Sequence, residues 1–435
     1  MSIIHFTIKF IRLGATYTML RFAPSPTGDM PIGNLRVAIL NYLVSQQSNL
    51  PFTVRIEDSD KAHIIEGKDT EIMQILEKFA LIHDTVFHQS EHLHMHQTLA
   101  IKLLEEKKAF ICTCTAQHCK CMNIQHDASL LKKEKIPFSI RIQRPSSDIV
   151  VPDILSEAYI TKAETIEPFV ILRADGTPTD TFACACGDML SGVTLIIREK
   201  TSLLESAKQE HIKSLLNFES TSKYAHIASI LDKQNKPMAQ EDEKTYVKWL
   251  FAQGFIPDAI INYLLTLGYK EIPEEIFTLP QAIKWFKLEN ISLEDSMFEL
   301  EKLKSINKAH LNNMPDVQLS SLFGFADADV GKLAKLYLSE ASTINELALR
   351  IRPIFAKKSL DNAYKEEMII LQNIIMNAPM ISQYDEFISY LKKNSNIEEK
   401  ILLNALRLLL TGTKTGPDLC HIYPFIKAYL LEVAS

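Results

Sequence analysis

The sequence predicts a doubly wound α/β domain that is followed by an all-helical region. After Met19 the chain reads as a strand, a loop rich in proline and glycine at residues 23–33, a helix, and a second strand at residues 52–56. Beyond residue 250 the apolar positions follow a helical period. Three short apolar runs are predicted to be buried strands that resume the sheet after an insertion, and they are residues 169–173, 182–186 and 193–198.

Length and composition limit the kind of protein. A chain of 435 residues is too long for one hydrophobic core, so several domains are expected. With 46% hydrophobic and 23% charged residues, the composition is that of a folded protein. A net charge of -6 argues against binding nucleic acid through bulk charge, but it leaves room for a local basic groove. No apolar run approaches the roughly 18 residues of a membrane span, so no membrane partner is predicted.

The loop at residues 23–33 leads directly into the first predicted helix. A glycine-containing loop that enters a helix N-terminus presents backbone N–H groups and the positive end of the helix dipole to a phosphate. In doubly wound folds, ligands bind at the carboxyl ends of the strands, where this loop is expected to lie. Gly33 and Asn34 are therefore predicted to bind phosphate, which suits ATP as the ligand.

Charged residues stand at the ends of the predicted strands. Arg21 and Arg198 can each meet a carboxylate with a bidentate fork, and an acidic amino acid has two carboxylates. Glu57 is predicted to pair with the ammonium group of that substrate. Ala23 and Ser25, in the loop, complete the predicted substrate-binding set. The alternative for each arginine alone is a surface salt bridge.

Four of the seven cysteines are crowded into one short segment, at Cys112, Cys114, Cys119 and Cys121. Two C-x-C arms across a tight turn provide four soft ligands for a structural zinc ion, and the alternative is four free thiols. This usage of cysteine is typical of a reducing compartment rather than of a secreted disulfide framework, so a cytoplasmic location is predicted. Cys184 and Cys186 are predicted to be core residues of an apolar strand.

The loop after the first strand has a specific sequence, RFAPSPTG at residues 21–28, followed by Pro31, Ile32, Gly33, Asn34 and Arg36. It resembles the signature of glutamyl-tRNA synthetases, in which this loop holds the amino acid and ATP. The resemblance covers nearly everything after Met19. It includes residues 55–60, 195–198, 224–226, 254–259 and 262–264, and single positions at Pro178, Thr179, Phe182, Phe298, Lys302, Leu303, Asn307, Leu406, Arg407, Thr411 and Gly412.

The resemblance implies an α/β Rossmann-like class I synthetase catalytic domain with an inserted α/β acceptor-stem-binding domain, followed by all-α stem-contact and anticodon-binding domains. It implies a monomer whose partners are tRNA, glutamate and ATP with Mg²⁺. The implied segments are residues 1–18 for an extension or upstream start, 19–86 and 169–230 for the two halves of the catalytic domain, 87–168 for the insertion, 231–310 for the KMSKS loop and stem contact, and 311–435 for the anticodon-binding domain.

The family's first catalytic signature, called HIGH, is altered. It provides a histidine that donates a hydrogen bond to the phosphates of ATP as the carboxylate attacks. The corresponding positions here are Pro31, Ile32, Gly33 and Asn34. Proline has neither a side-chain donor nor a backbone N–H, so Pro31 cannot replace the lost contact.

The second signature, called KMSKS, is altered as well. It provides a lysine over the leaving pyrophosphate, and the corresponding positions here are Pro237, Met238, Ala239, Gln240 and Glu241. Gln240 is neutral and Glu241 is negative, so neither supplies the missing charge. Lys236 and Lys200 are the candidates for a substitute counter-charge to the phosphates, and Lys236 is included among the predicted ATP-binding residues.

Two further segments depart from the family. Residues 199–202 read Glu-Lys-Thr-Ser where the family usually reads Gly-Glu-Asp-His. Asp180 and Thr181 stand where the family has a tyrosine and an asparagine that contact the amino acid. Asp180 would repel the carboxylate of a bound glutamate if it points into the pocket.

The implied tRNA contacts lie in the insertion and in the helical region. Candidate phosphate-binding residues of the insertion are Lys132, Lys133, Lys135, Arg141 and Arg144, and the alternative for each is a solvated basic face. Two functions remain open from the sequence. The first is a glutamate–tRNA ligase that works through an adenylate with impaired chemistry, and the second is a non-catalytic paralogue that binds tRNA and regulates or competes with an intact synthetase.

Overall fold

Two units make up the computed structural model, which describes residues 19–114, 126–218, 222–238, 243–360 and 363–435. The first unit contains the described residues up to Trp249 together with Leu264–Phe298. The second unit contains Leu250–Tyr263 and Glu299–Ser435. The finer division into the segments that the family resemblance implies stays a prediction. Among the described helices, none combines the length and the apolar character that crossing a bilayer requires.

All strands of the described residues lie in the first unit. They are β1 (Leu20–Phe22), β2 (Phe52–Ile56), β3 (Thr85–His88), β4 (Ala109–Cys112), β5 (Ser139–Ile142), β6 (Ile149–Val151), β7 (Tyr159–Thr161), β8 (Phe169–Leu172), β9 (Leu195–Glu199), β10 (Lys223–Ile227), β11 (Ile230–Leu231) and β12 (Ser296–Met297).

Helices occur throughout the chain and supply the regular structure that is described in the second unit. They are α1 (Ile32–Ser48), α2 (Lys68–Lys78), α3 (Leu93–Glu105), α4 (Ala128–Lys133), α5 (Asp180–Ser191), α6 (Leu203–Leu215), α7 (Val247–Ala252), α8 (Pro257–Thr266), α9 (Leu279–Trp285), α10 (Leu300–Asn313), α11 (Asp316–Ser321), α12 (Asp329–Leu336), α13 (Ile344–Phe355), α14 (Lys365–Met376), α15 (Tyr384–Ser395), α16 (Glu399–Thr411), α17 (Leu419–Ile426) and α18 (Leu430–Val433). The predicted all-helical character beyond residue 250 is confirmed, with the short strand β12 as the exception.

A parallel sheet forms the framework of the first unit. β2 lies between β1 and β3, with Leu20 opposite Phe52 and Val54 opposite Val86. All five residues of β2 are buried, as expected of a parallel strand that is covered on both faces. α1 connects β1 to β2 and also packs against β9, which pairs in parallel with β10. The predicted doubly wound α/β domain is confirmed.

The insertion has its own antiparallel sheet, in the order β4-β5-β8. The prediction that residues 169–173 resume the parallel sheet is wrong, because β8 completes this second sheet instead. Of the three apolar runs, only residues 193–198 provide a strand that lies beside β1, namely β9. An apolar run indicates that a strand is buried, but packing elsewhere in the chain decides which sheet it joins.

The prediction of a strand at residues 182–186 is also wrong, because this run lies inside α5. Every residue of the run is buried, and a short run that is apolar on all sides shows neither helical nor strand periodicity. α5 ends at Gly192, whose φ of 71° is the left-handed conformation that glycine tolerates. Cys184 and Cys186 are 4% and 0% exposed, so their prediction as core residues is confirmed.

Candidate active site

Two adjoining cavities lie where β1 and β9 end. One has a volume of about 260 Å³ and is lined mainly by the loop after β1, and the other has a volume of about 220 Å³ and is lined partly by the end of β9. Asn34 lines both cavities, which joins them into one candidate site. The five residues predicted to bind the substrate all line one or both, namely Arg21, Ala23, Ser25, Glu57 and Arg198. Their roles stay predictions.

The start of α1 lies at the junction of the cavities. Its N-cap residue is Pro31, which gives no side-chain cap, and its first turn contains no acidic residue. The N–H of Val247 donates to Met30 O at 3.0 Å, which helps to fix the loop in front of the helix. The N–H groups of an uncapped first turn and the helix dipole favour an anion at this point. Pro31 itself adds no donor.

Arg21 and Arg55 are held together by one buried aspartate, Asp188. Nε and Nη2 of Arg21 donate to the two carboxylate oxygens of Asp188 at 3.2 and 3.0 Å, and Nη1 of Arg55 donates to the same carboxylate at 2.6 Å. Burial opposes the ionisation of Asp188, but the two guanidinium groups outweigh it and keep the pKa of Asp188 below its usual range. The fork of Arg21 is therefore already occupied by a carboxylate of the protein.

Glu57 is likewise engaged inside the protein. Its Oε1 accepts a hydrogen bond from Nη2 of Arg55 at 3.2 Å. Asp188 lies 167 residues beyond Arg21 in the chain, so no local pattern in the sequence predicts their pairing. The one feature of the sequence that indicates a role for Asp188 is its position just after the apolar run at residues 182–186. An aspartate that is buried beside such a run requires a cationic partner.

Arg198 is the cavity cation that remains available. Its Nη1 donates to Ser206 Oγ at 3.2 Å and to Gln209 Oε1 at 3.0 Å, both of which are uncharged. Its Nε is buried without a hydrogen-bond partner. No carboxylate of the described residues lies within ion-pair distance of Arg198, so its charge is available for a ligand carboxylate.

Behind Arg198 lies a buried group that the sequence analysis did not single out. His226, on β10, approaches Ser206 Oγ with Nε2 at 2.8 Å and Asp153 Oδ2 with Nδ1 at 2.7 Å. In the sequence, His226 belongs to the segment of family resemblance at residues 224–226, which predicts no role for its side chain. The pairing with Asp153 joins the insertion to the strand beside β9, and no local pattern in the sequence indicates it.

The residues that depart from the family lie around the cavities. Asp180 lines a neighbouring cavity of about 410 Å³ together with Glu57 and Asp60, which pair with Arg55 and Arg173. Burial, and to a lesser extent the charge of Glu57, raise the pKa of Asp180. The carboxylate of Glu199 lies against Gly33, a predicted ATP-binding residue. Lys200 pairs with Asp295 at 2.7 Å, so its charge is already matched by an aspartate.

The altered KMSKS segment is only partly described. Lys236 is exposed, and its backbone N–H donates to Asp232 Oδ1 at 2.9 Å. Pro237 forms a bridge with Leu231, and the N–H of Met238 donates to Ile230 O at 3.0 Å. Ala239, Gln240 and Glu241 lie outside the described residues. The role of Lys236 as a counter-charge to ATP stays a prediction.

The predicted zinc site also extends beyond the described residues. Cys112 is buried at the end of β4, and the N–H of Cys114 donates to its Sγ at 3.4 Å. Cys119 and Cys121 lie outside the described ranges. A pair of thiols two residues apart fits the chemistry of half a tetrahedral site, and the choice between zinc and free thiols stays open.

The basic residues of the insertion fall into two groups. Lys132, Lys133 and Lys135 are exposed at and just after the end of α4. Arg141 is 7% exposed and donates to Pro168 O at 3.1 Å, so the prediction that it faces phosphate is wrong. Arg144 pairs with Glu167 at 2.7 Å. The Arg141 side chain is buried because β5 is the central strand of the sheet β4-β5-β8.

Comparisons with known proteins agree with this geometry. Residues 18–305 match the family described as tRNA synthetases class I (E and Q), catalytic domain. The chain is 52% identical over 429 residues to glutamate–tRNA ligase 2 of a Sulfurovum species, and the match covers 96% of this chain and 100% of that protein. It is 43% identical over 433 residues to glutamate–tRNA ligase 1 of a Nitratiruptor species, covering 95% and 100% of the two chains.

The fold itself has solved counterparts. A glutamate tRNA ligase from Elizabethkingia meningosepticum, in complex with its amino acid, superposes with a TM-score of 0.76 at 21% identity, covering 96% of this chain and 98% of that one. A glutamate–tRNA synthetase from Elizabethkingia anophelis gives a TM-score of 0.75 at 21% identity, covering 96% and 99%. The chain therefore belongs to the class I tRNA synthetases for glutamate and glutamine, as a glutamyl-tRNA synthetase-like paralogue with degenerate HIGH and KMSKS signatures.

Proposed function

We propose that the protein attaches glutamate to tRNA, of the Glu or Gln isoacceptor type, in an ATP-dependent reaction through glutamyl-adenylate, with impaired chemistry. The observation that supports this most is Arg198, a cation without a carboxylate partner among the described residues, beside the uncapped start of α1. Full-length similarity to glutamate–tRNA ligases supports the same proposal. In this proposal the protein works as a monomer in the cytoplasm.

The proposed reaction has two steps. Adenylation joins the substrate carboxylate to the α-phosphate of ATP, with Mg²⁺ entering as part of the nucleotide substrate, and releases pyrophosphate. A tRNA hydroxyl then takes the glutamyl group, and AMP leaves. The start of α1 binds the phosphates, and Arg198 binds a substrate carboxylate. Pro31 gives no donor to the phosphates, and losing one such donor typically costs about 10²–10³ in rate.

A second function is favoured by specific residues. The protein would be a non-catalytic paralogue that binds tRNA and regulates or competes with an intact synthetase. Pro31 lacks the donor that the chemistry uses, Glu199 covers Gly33, and Asp180 adds a carboxylate to the cavity that Glu57 and Ser25 line. The exposed lysines 132, 133 and 135 would serve tRNA binding equally well in both functions.

One experiment separates the two functions. Glutamate-dependent ATP–pyrophosphate exchange is measured in the presence of tRNA, and tRNA binding is measured in parallel by filter retention. Exchange above the level of a no-glutamate control supports the ligase and rejects the non-catalytic paralogue. Binding of tRNA without any exchange rejects the ligase. If the protein neither binds tRNA nor exchanges pyrophosphate, both functions are rejected.

A further inference from the structure

Glu199 ends β9, and its side chain lies against Gly33, the second residue of α1. A Cβ atom added to Gly33 would overlap with Oε1 of Glu199 and would lie 3.3 Å from its Cδ. The carboxylate therefore fills the space that a glycine leaves open at the first turn of the helix. Glu199 also lines the same cavity as Asn34 and Arg198, so it lies inside the candidate site and not beside it.

This position favours an anion for two reasons. The first turn of α1 has no acidic side chain and no side-chain cap, so its N–H groups and the helix dipole attract negative charge. Arg36, on the same helix, adds a buried positive charge nearby. A phosphate group of a nucleotide has the same charge preference as a carboxylate, so the two compete for one place.

The Glu199 side chain is held by packing, by the helix dipole and by the charge of Arg36 rather than by direct hydrogen bonds. Burial raises the pKa of Glu199, the charge of Arg36 opposes that shift, and Asp295 adds to it. Both Nη atoms of Arg36 donate to backbone carbonyls, those of Ala228 and Leu267. In the described part of the chain, the Glu199 carboxylate has no hydrogen bond or ion pair. The Glu199 side chain can therefore turn away from Gly33 without breaking a hydrogen bond or an ion pair.

We propose that Glu199 is an internal occupant of the nucleotide cavity, by which we mean the start of α1 together with the cavity that Asn34, Arg198 and Glu199 line. Its carboxylate competes with the phosphates of a nucleoside triphosphate for the start of α1 and weakens nucleotide binding until the side chain turns away. The inference rests on the proposed function for the assignment of this cavity to ATP. The segment that the family usually has here begins with glycine, so Glu199 sets this chain apart and would weaken ATP binding independently of Pro31.

The test is direct binding of ATP with Mg²⁺ to the full chain, measured by equilibrium dialysis without glutamate or tRNA. Glu199→Gly removes both the bulk and the charge, and Glu199→Gln removes the charge alone. The expected result is that Glu199→Gly binds ATP roughly tenfold or more tightly than the unaltered chain, with Glu199→Gln between the two. Glu289→Gln, an exposed glutamate of the same unit, is the matched control and should bind ATP as the unaltered chain does.

The outcome is separable from that of the proposed function. Circular dichroism and thermal melting show whether both proteins are folded. If the unaltered chain and Glu199→Gly are both folded and bind ATP equally tightly, the proposal that Glu199 competes with ATP is overturned. Tighter ATP binding by Glu199→Gly supports the occupant even if none of the proteins exchanges pyrophosphate. In that case the proposed ligase function is rejected, while the proposed competition between Glu199 and ATP is supported.

Discussion

Ser206 on α6 and His226 on β10 are joined by a hydrogen bond of 2.8 Å between Oγ and Nε2. His226 Nδ1 lies 2.7 Å from Asp153 Oδ2, and the Ser206 hydroxyl also donates to Ser202 O at 3.1 Å. Nη1 of Arg198 lies 3.2 Å from Ser206 Oγ. The contacts with His226 and Ser202 therefore hold Ser206 Oγ in place as an acceptor for the guanidinium of Arg198.

Replacing Ser206 by alanine tests this arrangement. Ser206→Ala removes an acceptor from Arg198 and leaves Gln209 as its partner, so we expect glutamate binding to weaken about fivefold, the value of one net hydrogen bond. Ser206→Thr keeps the hydroxyl and should retain the affinity. Equilibrium dialysis with labelled glutamate gives the measurement. Equal affinities for all three proteins would show that Ser206 does not orient Arg198.

Removal of the Arg198 charge should have a larger effect. Arg198→Gln loses a charge-assisted contact worth roughly 1.5–3 kcal/mol, so glutamate affinity should fall about tenfold to a hundredfold. The same dialysis assay measures it. Arg144→Gln is the matched control, because Arg144 is paired with Glu167 on the insertion and lies in neither cavity. Unchanged binding by Arg198→Gln would remove Arg198 from the substrate site.

Asp188 should dominate the stability of the first unit. Asp188→Asn leaves the buried Arg21 and Arg55 without their shared counter-charge, and breaking a buried pair on one side costs about 3–5 kcal/mol. Urea denaturation followed by circular dichroism measures the free energy of unfolding. A loss below about 1 kcal/mol would contradict the role assigned to Asp188.

The same pair predicts a dependence on pH. Because the two guanidinium groups keep the pKa of Asp188 below its usual value near 3.9, its ionisation stabilises the fold above about pH 4. This contribution is lost as the pH falls from that value through the lower pKa of the folded state. The stability difference between the unaltered chain and Asp188→Asn should therefore be constant from about pH 5 to pH 7 and should shrink at lower pH. If the stability difference between the two proteins grows as the pH falls, the predicted sign of this pH dependence is wrong.

Restoring the two signatures should raise the chemical rate. Pro31→His supplies a donor to the phosphates and Gln240→Lys supplies a charge over the pyrophosphate, and each such group typically contributes about 10²–10³. We expect the double variant to exchange pyrophosphate roughly tenfold faster or more, since other altered residues still limit it. Gln234→Lys adds the same charge at an exposed, described residue six positions earlier in the chain and serves as the control. A double variant no faster than this control would locate the impairment elsewhere.

The exposed lysines of the insertion should show in the salt dependence of tRNA binding. Replacing Lys132, Lys133 and Lys135 by glutamine should lower the slope of log affinity against log salt by about two to three, close to one unit for each phosphate contact. Filter binding between low and moderate salt measures it. Arg144→Gln, already paired with Glu167, should leave the slope nearly unchanged. An unchanged slope in the triple variant would place the tRNA contact on another surface.

Much of the framework could be predicted from the sequence. The run at residues 52–56 and the loop at residues 23–33 indicated the sheet and its ligand-binding edge, because apolar periodicity and turn residues act locally. Residues 182–186 and 169–173 were assigned wrongly because a short buried run shows no period and no partner. The five predicted substrate-binding residues line the two adjoining cavities, but the sequence did not indicate which of them are free for a ligand.

The sequence by itself determined the family, the order of strands and helices around the loop, and the loss of donors at Pro31, since these depend on residue identity and short spacing. Only the tertiary structure decided that Asp188 occupies Arg21, that Arg198 stays available, and that Glu199 covers Gly33. Each of these is a contact between residues that are far apart in the chain. Charge balance in a cavity depends on distances of a few ångströms, and those distances are set by how the whole sheet and its helices pack.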